Sequence, residues 1–162
     1  LDRESKVFEK LFIKYSGKVY SLARFKGLNG QDSQDIVQET FAAVFASYHS
    51  FQNKSSLKTY IVSIARNKIA DYYRKRYKSL ETELDEEIGI PSQDENVIEK
   101  TDVSVQVDKL TDKQKELLHM IFTQGLSYDE AAAVMNVPAG TIKSRMFAIR
   151  NTLKQGLGED YR

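Results

Sequence analysis

The chain has 162 residues, with 24 Lys and Arg against 23 Asp and Glu, two His, no Cys and no Trp. That length suits one ordinary domain or two small ones, and the missing Cys excludes disulfides, thiolate metal sites and a cysteine nucleophile. His49 and His119 stand far apart, no metal or cofactor site is expected, and no apolar run approaches the roughly 20 residues of a membrane span.

The small net charge conceals an asymmetry. Residues 1–80 hold 15 basic and 7 acidic side chains, 81–108 hold 1 and 10, and 109–162 hold 8 and 6. Basic ends around an acidic middle suggest a nucleic-acid partner for the ends. The opening LDRESKVFEK lacks the apolar core of a signal peptide, so a cytosolic setting is expected.

In chain order, Phe8, Leu11, Phe12, Tyr15, Val19, Leu22 and Ala23 recur at spacings of three and four and predict a first helix. Gly27, Asn29 and Gly30 interrupt it, and a second helix is expected from about Asp32 to Tyr48. The polar stretch HSFQNKSS (49–56) precedes a third helix, from about Ser56 to Arg76, with Leu57, Ile61, Ile64, Ala65 and Ile69 as its buried stripe. Residues 77–108 lose this periodicity and read as an acidic linker.

Helical signals resume at Leu110. Thr111 with Gln114 forms a capping box, and Leu117, Leu118, Ile121 and Phe122 supply the expected buried face. Gly125 ends this helix, Ser127 and Glu130 cap the next, Asn136 suits a left-handed stop, and Pro138 opens a last helix reaching about Gln155. The predicted fold is all-α: a helical domain over 1–78, a linker over 79–108 and a second helical domain over 109–162.

SYDEAAAVM, NVPA and GTIKSRMFAIRNTLKQ make a helix-turn-helix, in which Ala131, Ala132 and Ala133 would allow close approach. Ile142, Met146, Ile149 and Leu153 stack on one face of the second helix, while Gly140, Lys143, Ser144, Phe147 and Asn151 lie opposite. Lys143 and Ser144 offer donors to phosphates and base edges near the helix start. Phe147 suits a thymine methyl or its own neighbours, and Arg145 an intradomain ion pair or a phosphate.

The strings GLSYDEAA and GTIKSR resemble region 4 of bacterial sigma factors, specifically the small extracytoplasmic-function (ECF) group. DSQDIVQETF (32–41) and LKTYIVSIARNKIADYYRKR (57–76) resemble region 2 of the same group. Two motifs in this order are far more specific than a lone helix-turn-helix. The resemblance implies a bacterial cytoplasmic protein that performs no covalent chemistry itself. Its implied partners are core RNA polymerase, through the β′ coiled coil and the β subunit, promoter DNA and an anti-sigma factor.

Asp32, Asp35 and Glu39 fall at i, i+3 and i+7 with Gln38 alongside, and no basic residue stands at i+4 to any of them. A solvated face would look the same, but the resemblance makes this the polymerase-docking edge. It also makes 49–76 the reader of the promoter −10 element. His49, Phe51, Gln52, Asn53 and Lys54 offer stacking and hydrogen-bonding groups, and Lys58, Arg66, Asn67, Lys68 and Arg74 provide polar and cationic contacts along the strand. Asp71 with Arg74 is an expected i, i+3 pair. Gly140, Thr141, Lys143, Ser144, Arg145, Phe147 and Arg150 form the implied −35 reader. Leu57, Tyr60 and Ala148 depart from the residues usual in the group. The acidic middle suits either a spacer or a mimic of nucleic acid in the polymerase's RNA channel. The rival reading, a stand-alone helix-turn-helix repressor or activator, leaves the acidic face of DSQDIVQETF unexplained.

Overall fold

The computed structural model describes residues 2–82 and 101–158, which divide into two compact units. The described residues are helical, without strands. Residues 83–100, which include the ELDEE run, lie outside the described residues, and so does the RNA-channel reading that rests on them.

The first unit contains α1 (Arg3–Phe25), α2 (Gly30–Ser47), a 3-10 turn (Tyr48–Ser50) and α3 (Leu57–Thr82). The three helices pack against one another. Tyr15, Val19, Leu22 and Ala23 of α1 meet Ile36, Val37, Phe41 and Val44 of α2 and Ile61, Val62, Ala65 and Ile69 of α3 in the core. Phe8 and Phe12 of α1 are only partly enclosed: the Phe8 ring lies 4.4 Å from that of Phe45 and Phe12 5.0 Å from Phe41, yet Phe12 remains 42% exposed.

At the end of α1, Gly27 takes φ +95° while the Leu28 N–H reaches back to the Ala23 carbonyl at 3.1 Å. A Cβ at this position would stand 3.2 Å from the Tyr73 hydroxyl, so the positive φ favours glycine and the neighbour leaves little room for a side chain. Asn29 then caps α2, accepting from the Asp32 N–H at 2.7 Å. Ser56 caps α3 in the same manner, accepting from the Thr59 N–H at 3.1 Å.

The second unit holds α4 (Asp102–Asp108), α5 (Asp112–Leu118), a π-helical turn (His119–Thr123), α6 (Tyr128–Met135) and α7 (Ala139–Leu157). Helix α4 falls inside the segment 79–108 that the sequence assigns to a linker, as does the end of α3. It packs on α7 with Gln106 buried and Val103 and Val105 exposed, an arrangement that leaves no apolar stripe to find.

Both expected capping boxes form, on Thr111/Gln114 and Ser127/Glu130. The expected buried face over 117–122 is corrected. Leu117 and Met120 are buried, Leu118 and Ile121 are half-buried, and Phe122 is 73% exposed. The cause is the π turn, where the Gln124 N–H bonds the His119 carbonyl five residues back and the added residue rotates Phe122 outward. Ala131 and Ala132 are buried as expected, but Ala133 points to solvent and takes no part in the helix approach. Asn136 adopts the left-handed conformation at φ 53°, and Pro138 stands just ahead of α7.

Candidate nucleic-acid and polymerase interfaces

On α2, Asp32 is half-buried while Asp35, Gln38 and Glu39 are exposed. Asp32, Asp35 and Glu39 line a groove of about 450 Å³ together with Ile36 and with Asp71, Tyr72, Lys75 and Arg76 of α3. The absence of basic partners on α2 itself holds, but cations reach the same groove from α3. Gln38 turns away and lines a second groove of about 350 Å³ with Phe12, Ser16, Gly17, Tyr20, Gln34 and Val37. The structure therefore brings three of the four expected docking residues together and separates the fourth.

Two tyrosines of α3 fasten this region. The Tyr72 hydroxyl donates to Asp32 Oδ2 at 2.7 Å and accepts from Arg76 Nη1 at 3.0 Å. The Tyr73 hydroxyl donates to the Lys26 carbonyl at the end of α1. Burial, reinforced by the hydrogen bond to Asp32 and opposed by Arg76, raises the Tyr72 pKa, and burial likewise raises that of Tyr73. Both hydroxyls thus stay protonated donors at neutral pH. Sequence reasoning passed over these tyrosines. Arg76 four residues after Tyr72 was a visible signal, whereas Asp32 lies 40 residues away.

In the 49–56 loop, His49, Gln52, Asn53 and Lys54 are exposed, and Asn53 takes φ 52°. His49 Nε2 lies 3.7 Å from Glu4 on α1. Phe51 is half-buried against Tyr60, ring centroids 4.7 Å apart, so one of its faces already has an aromatic partner. Tyr60 in turn shares a hydrogen bond with Ser47.

Along α3, Asn67 and Arg74 are seven residues apart and exposed, hence on one side of the helix. Arg74 pairs with Asp71 as the spacing predicts. Lys58, Arg66 and Lys68 are half-buried. Arg66 and Lys68, two residues apart, diverge by roughly 160° around the axis, so the expected cations do not form a single stripe.

In the helix-turn-helix, Ile142, Met146 and Ile149 are buried and Leu153 is half-buried. Gly140, Lys143, Phe147 and Arg150 are exposed on α7, with Thr141 and Arg145 half-buried. Phe147 is 66% exposed, so it does not pack away among its own neighbours. The Ser144 hydroxyl is turned back onto its own helix, within 3.2 Å of the Gly140 carbonyl and 3.1 Å of that of Thr141. Arg150 Nη2 donates to the Tyr128 hydroxyl at the start of α6, 2.7 Å away, a tie that the sequence did not reveal. Among the described residues no cluster of His, Cys, Asp and Glu suits a metal ion, and no helix is long and apolar enough to cross a membrane.

The described residues thus form a three-helix unit with an acidic edge and a helix-turn-helix unit with an exposed polar and aromatic face, the latter a motif that suits nucleic-acid binding. Residues 11–79 match Sigma-70 region 2 and residues 107–155 match Sigma-70, region 4. The chain is 34% identical over 129 residues to the ECF RNA polymerase sigma factor EcfG of Rhodopseudomonas palustris, covering 77% of this chain and 71% of that one. It is 30% identical over 165 residues to the ECF RNA polymerase sigma-E factor of Escherichia coli, covering 93% and 86%.

Among solved structures it resembles the sigma factor RpoE in complex with the anti-sigma factor NepR from Bartonella quintana, with TM-score 0.70, 27% identity and coverage of 96% and 99%. CnrH in complex with the cytosolic domain of CnrY shares the fold, at TM-score 0.66, 24% identity and coverage of 96% and 90%. The chain belongs to the ECF RNA polymerase sigma factors. The region 2 match also decides against the stand-alone repressor or activator, which leaves that half of the chain without a task.

Proposed function

We propose that this sigma factor docks on core RNA polymerase through Asp32, Asp35 and Glu39, with Gln38 contributing from the adjoining groove. The β′ coiled coil is the basic element that such an edge suits, with the β subunit as the second contact. The observation that carries this reading is the acidic edge itself, since Asp35 and Glu39 are exposed beside a groove rather than packed in the core.

His49, Phe51, Gln52, Asn53 and Lys54 take an unstacked base of the −10 element, and Lys58, Arg66, Asn67, Lys68 and Arg74 follow the strand. Phe51 presents to the base only the face that Tyr60 leaves uncovered. On α7, Lys143 and Phe147 read base edges of the −35 element, flanked by Gly140, Thr141, Ser144 and Arg145. Arg150 holds a phosphate.

The working unit is 1–78 for region 2 and 109–162 for region 4, with α4 counted alongside the latter. The setting is the bacterial cytoplasm, and the chemistry of RNA synthesis belongs to the polymerase. An anti-sigma factor is the expected inhibitor, a reading supported by the NepR-bound relative. Co-purification with core polymerase, followed by run-off transcription from the protein's own promoter, tests the whole. Polymerase capture with a specific transcript is expected, whereas tight promoter binding without polymerase would overturn it.

A further inference from the structure

Asp32 belongs to the proposed polymerase edge, and Arg76 lies four residues beyond Tyr72 on the helix proposed to follow the −10 strand, lining the same groove as Asp32. Both make their hydrogen bonds to one atom, the Tyr72 hydroxyl oxygen. A guanidinium can only donate and a carboxylate can only accept, so the polarity of the chain is fixed from Arg76 through Tyr72 to Asp32. Each end is charge-assisted, and bonds in such a chain polarise one another. We propose that Tyr72 is a positioning residue shared by the polymerase edge and the DNA-tracking helix, holding the Asp32 carboxylate and the Arg76 guanidinium in their working orientations.

The hydroxyl also acts as a spacer. It keeps Arg76 one hydrogen-bonded atom away from Asp32, so the cation does not pair directly with a carboxylate meant for the polymerase. Tyr72 holds Asp32 through Oδ2, and the capped Asp32 N–H fixes the backbone beneath it. The surrounding groove admits an incoming side chain beside the relay. This role rests on the docking reading of the acidic edge, and it adds a residue to which that reading gave no task.

The test is a double-mutant cycle read as the affinity of the full chain for core polymerase. Tyr72→Phe keeps the ring and removes only the hydroxyl. It should weaken association about fivefold, the equivalent of one ordinary hydrogen bond, and should have no further effect beside Asp32→Asn. A second cycle, Tyr72→Phe with Arg76→Ala, should be similarly non-additive in association with core polymerase.

Equal losses with and without Asp32, or no loss while Asp32→Asn itself weakens association, would overturn the positioning role and leave the docking edge standing. Undiminished association of Asp32→Asn and of Asp35→Arg with Glu39→Arg would overturn the docking edge and this role with it. If thermal unfolding shows that Tyr72→Phe disturbs the fold, the Asp32→Asn and Arg76→Ala pair carries the test. Coupling between those two in core association supports the relay, and strict additivity refutes it.

Discussion

The two units differ in how far along the chain their side-chain ties reach. In the first, decisive ties run between residues far apart in sequence, as in Tyr72 to Asp32 across 40 residues and Tyr73 to Lys26 across 47. Local caps serve both units, with Asn29 and Ser56 in the first and Thr111 and Ser127 in the second each accepting from a backbone N–H three residues on. Both units end a helix on a left-handed residue, Gly27 at φ 95° and Asn136 at φ 53°. A neighbour from another helix also limits the side chain at Gly27, where Tyr73 of α3 stands close, and at Gly156 of α7, where a Cβ would run into Gln106 of α4. Tyr72 and Tyr73 thus tie the first unit together across 40 and 47 residues, while the Arg150–Tyr128 bond of the second spans 22. A substitution should therefore reach surfaces on other helices in the first unit and stay local in the second.

The largest effect that this contrast predicts is on docking. Asp35→Arg with Glu39→Arg should reduce association with core polymerase by more than about 100-fold, since like charges facing each other across an interface cost several kcal/mol. Both side chains are exposed, so thermal unfolding should not change. Undiminished co-purification of the double variant with polymerase would separate the acidic edge from docking. Next in size, Lys143→Ala and Phe147→Ala should each remove about 1–3 kcal/mol of base discrimination, at different positions of the −35 element. A −35 library read by transcription checks this, and unaltered preference in both variants would mean that another face of α7 enters the groove.

Stability substitutions probe the contrast directly. Gly27→Ala should cost about 1–2 kcal/mol, because alanine is disfavoured at positive φ and its Cβ would meet the Tyr73 hydroxyl. Hydrogen exchange should then quicken in α3 as well as α1. Ser127→Ala should cost about 1 kcal/mol, the usual worth of an N-cap, with faster exchange confined to α6 and its neighbours. Spreading of the Ser127 effect through the second unit, or confinement of the Gly27 effect to α1, would erase the distinction.

That distinction also accounts for what could be read from the amino acids. Caps, the left-handed Asn136 and the Ile142–Met146–Ile149 stripe are local patterns, and each appears where the spacing puts it. The π turn at His119–Thr123 adds one residue to a helical register without a sequence signal, so Phe122 emerges on the wrong face. Helix α4 escapes notice because its buried side chain is Gln106 while Val103 and Val105 face outward. In the site, the carboxylates of α2 were visible as a pattern, but the cations that share their groove come from α3. Gln38 shares the helix with those carboxylates and still faces another groove.

The smallest predicted effect concerns Arg150, whose bond to Tyr128 spans 22 residues and brings a longer-range tie into the second unit. That bond uses one of five guanidinium donors and leaves the charge intact, so the remaining donors can meet a phosphate. A phosphate contact carries no sequence information. Arg150→Ala should therefore weaken all −35 variants alike, by less than about 1 kcal/mol as for an exposed charge pair. It should also lower the salt slope of holoenzyme binding by about one unit. Tyr128→Phe, which frees the guanidinium without removing it, should leave that slope unchanged. Binding across the −35 library at two salt concentrations separates the cases. A loss that varied with base identity would move Arg150 from the backbone to a base edge. The groove-facing surface of α7 would then extend a full turn beyond Phe147, and the Tyr128 tie would set specificity rather than affinity.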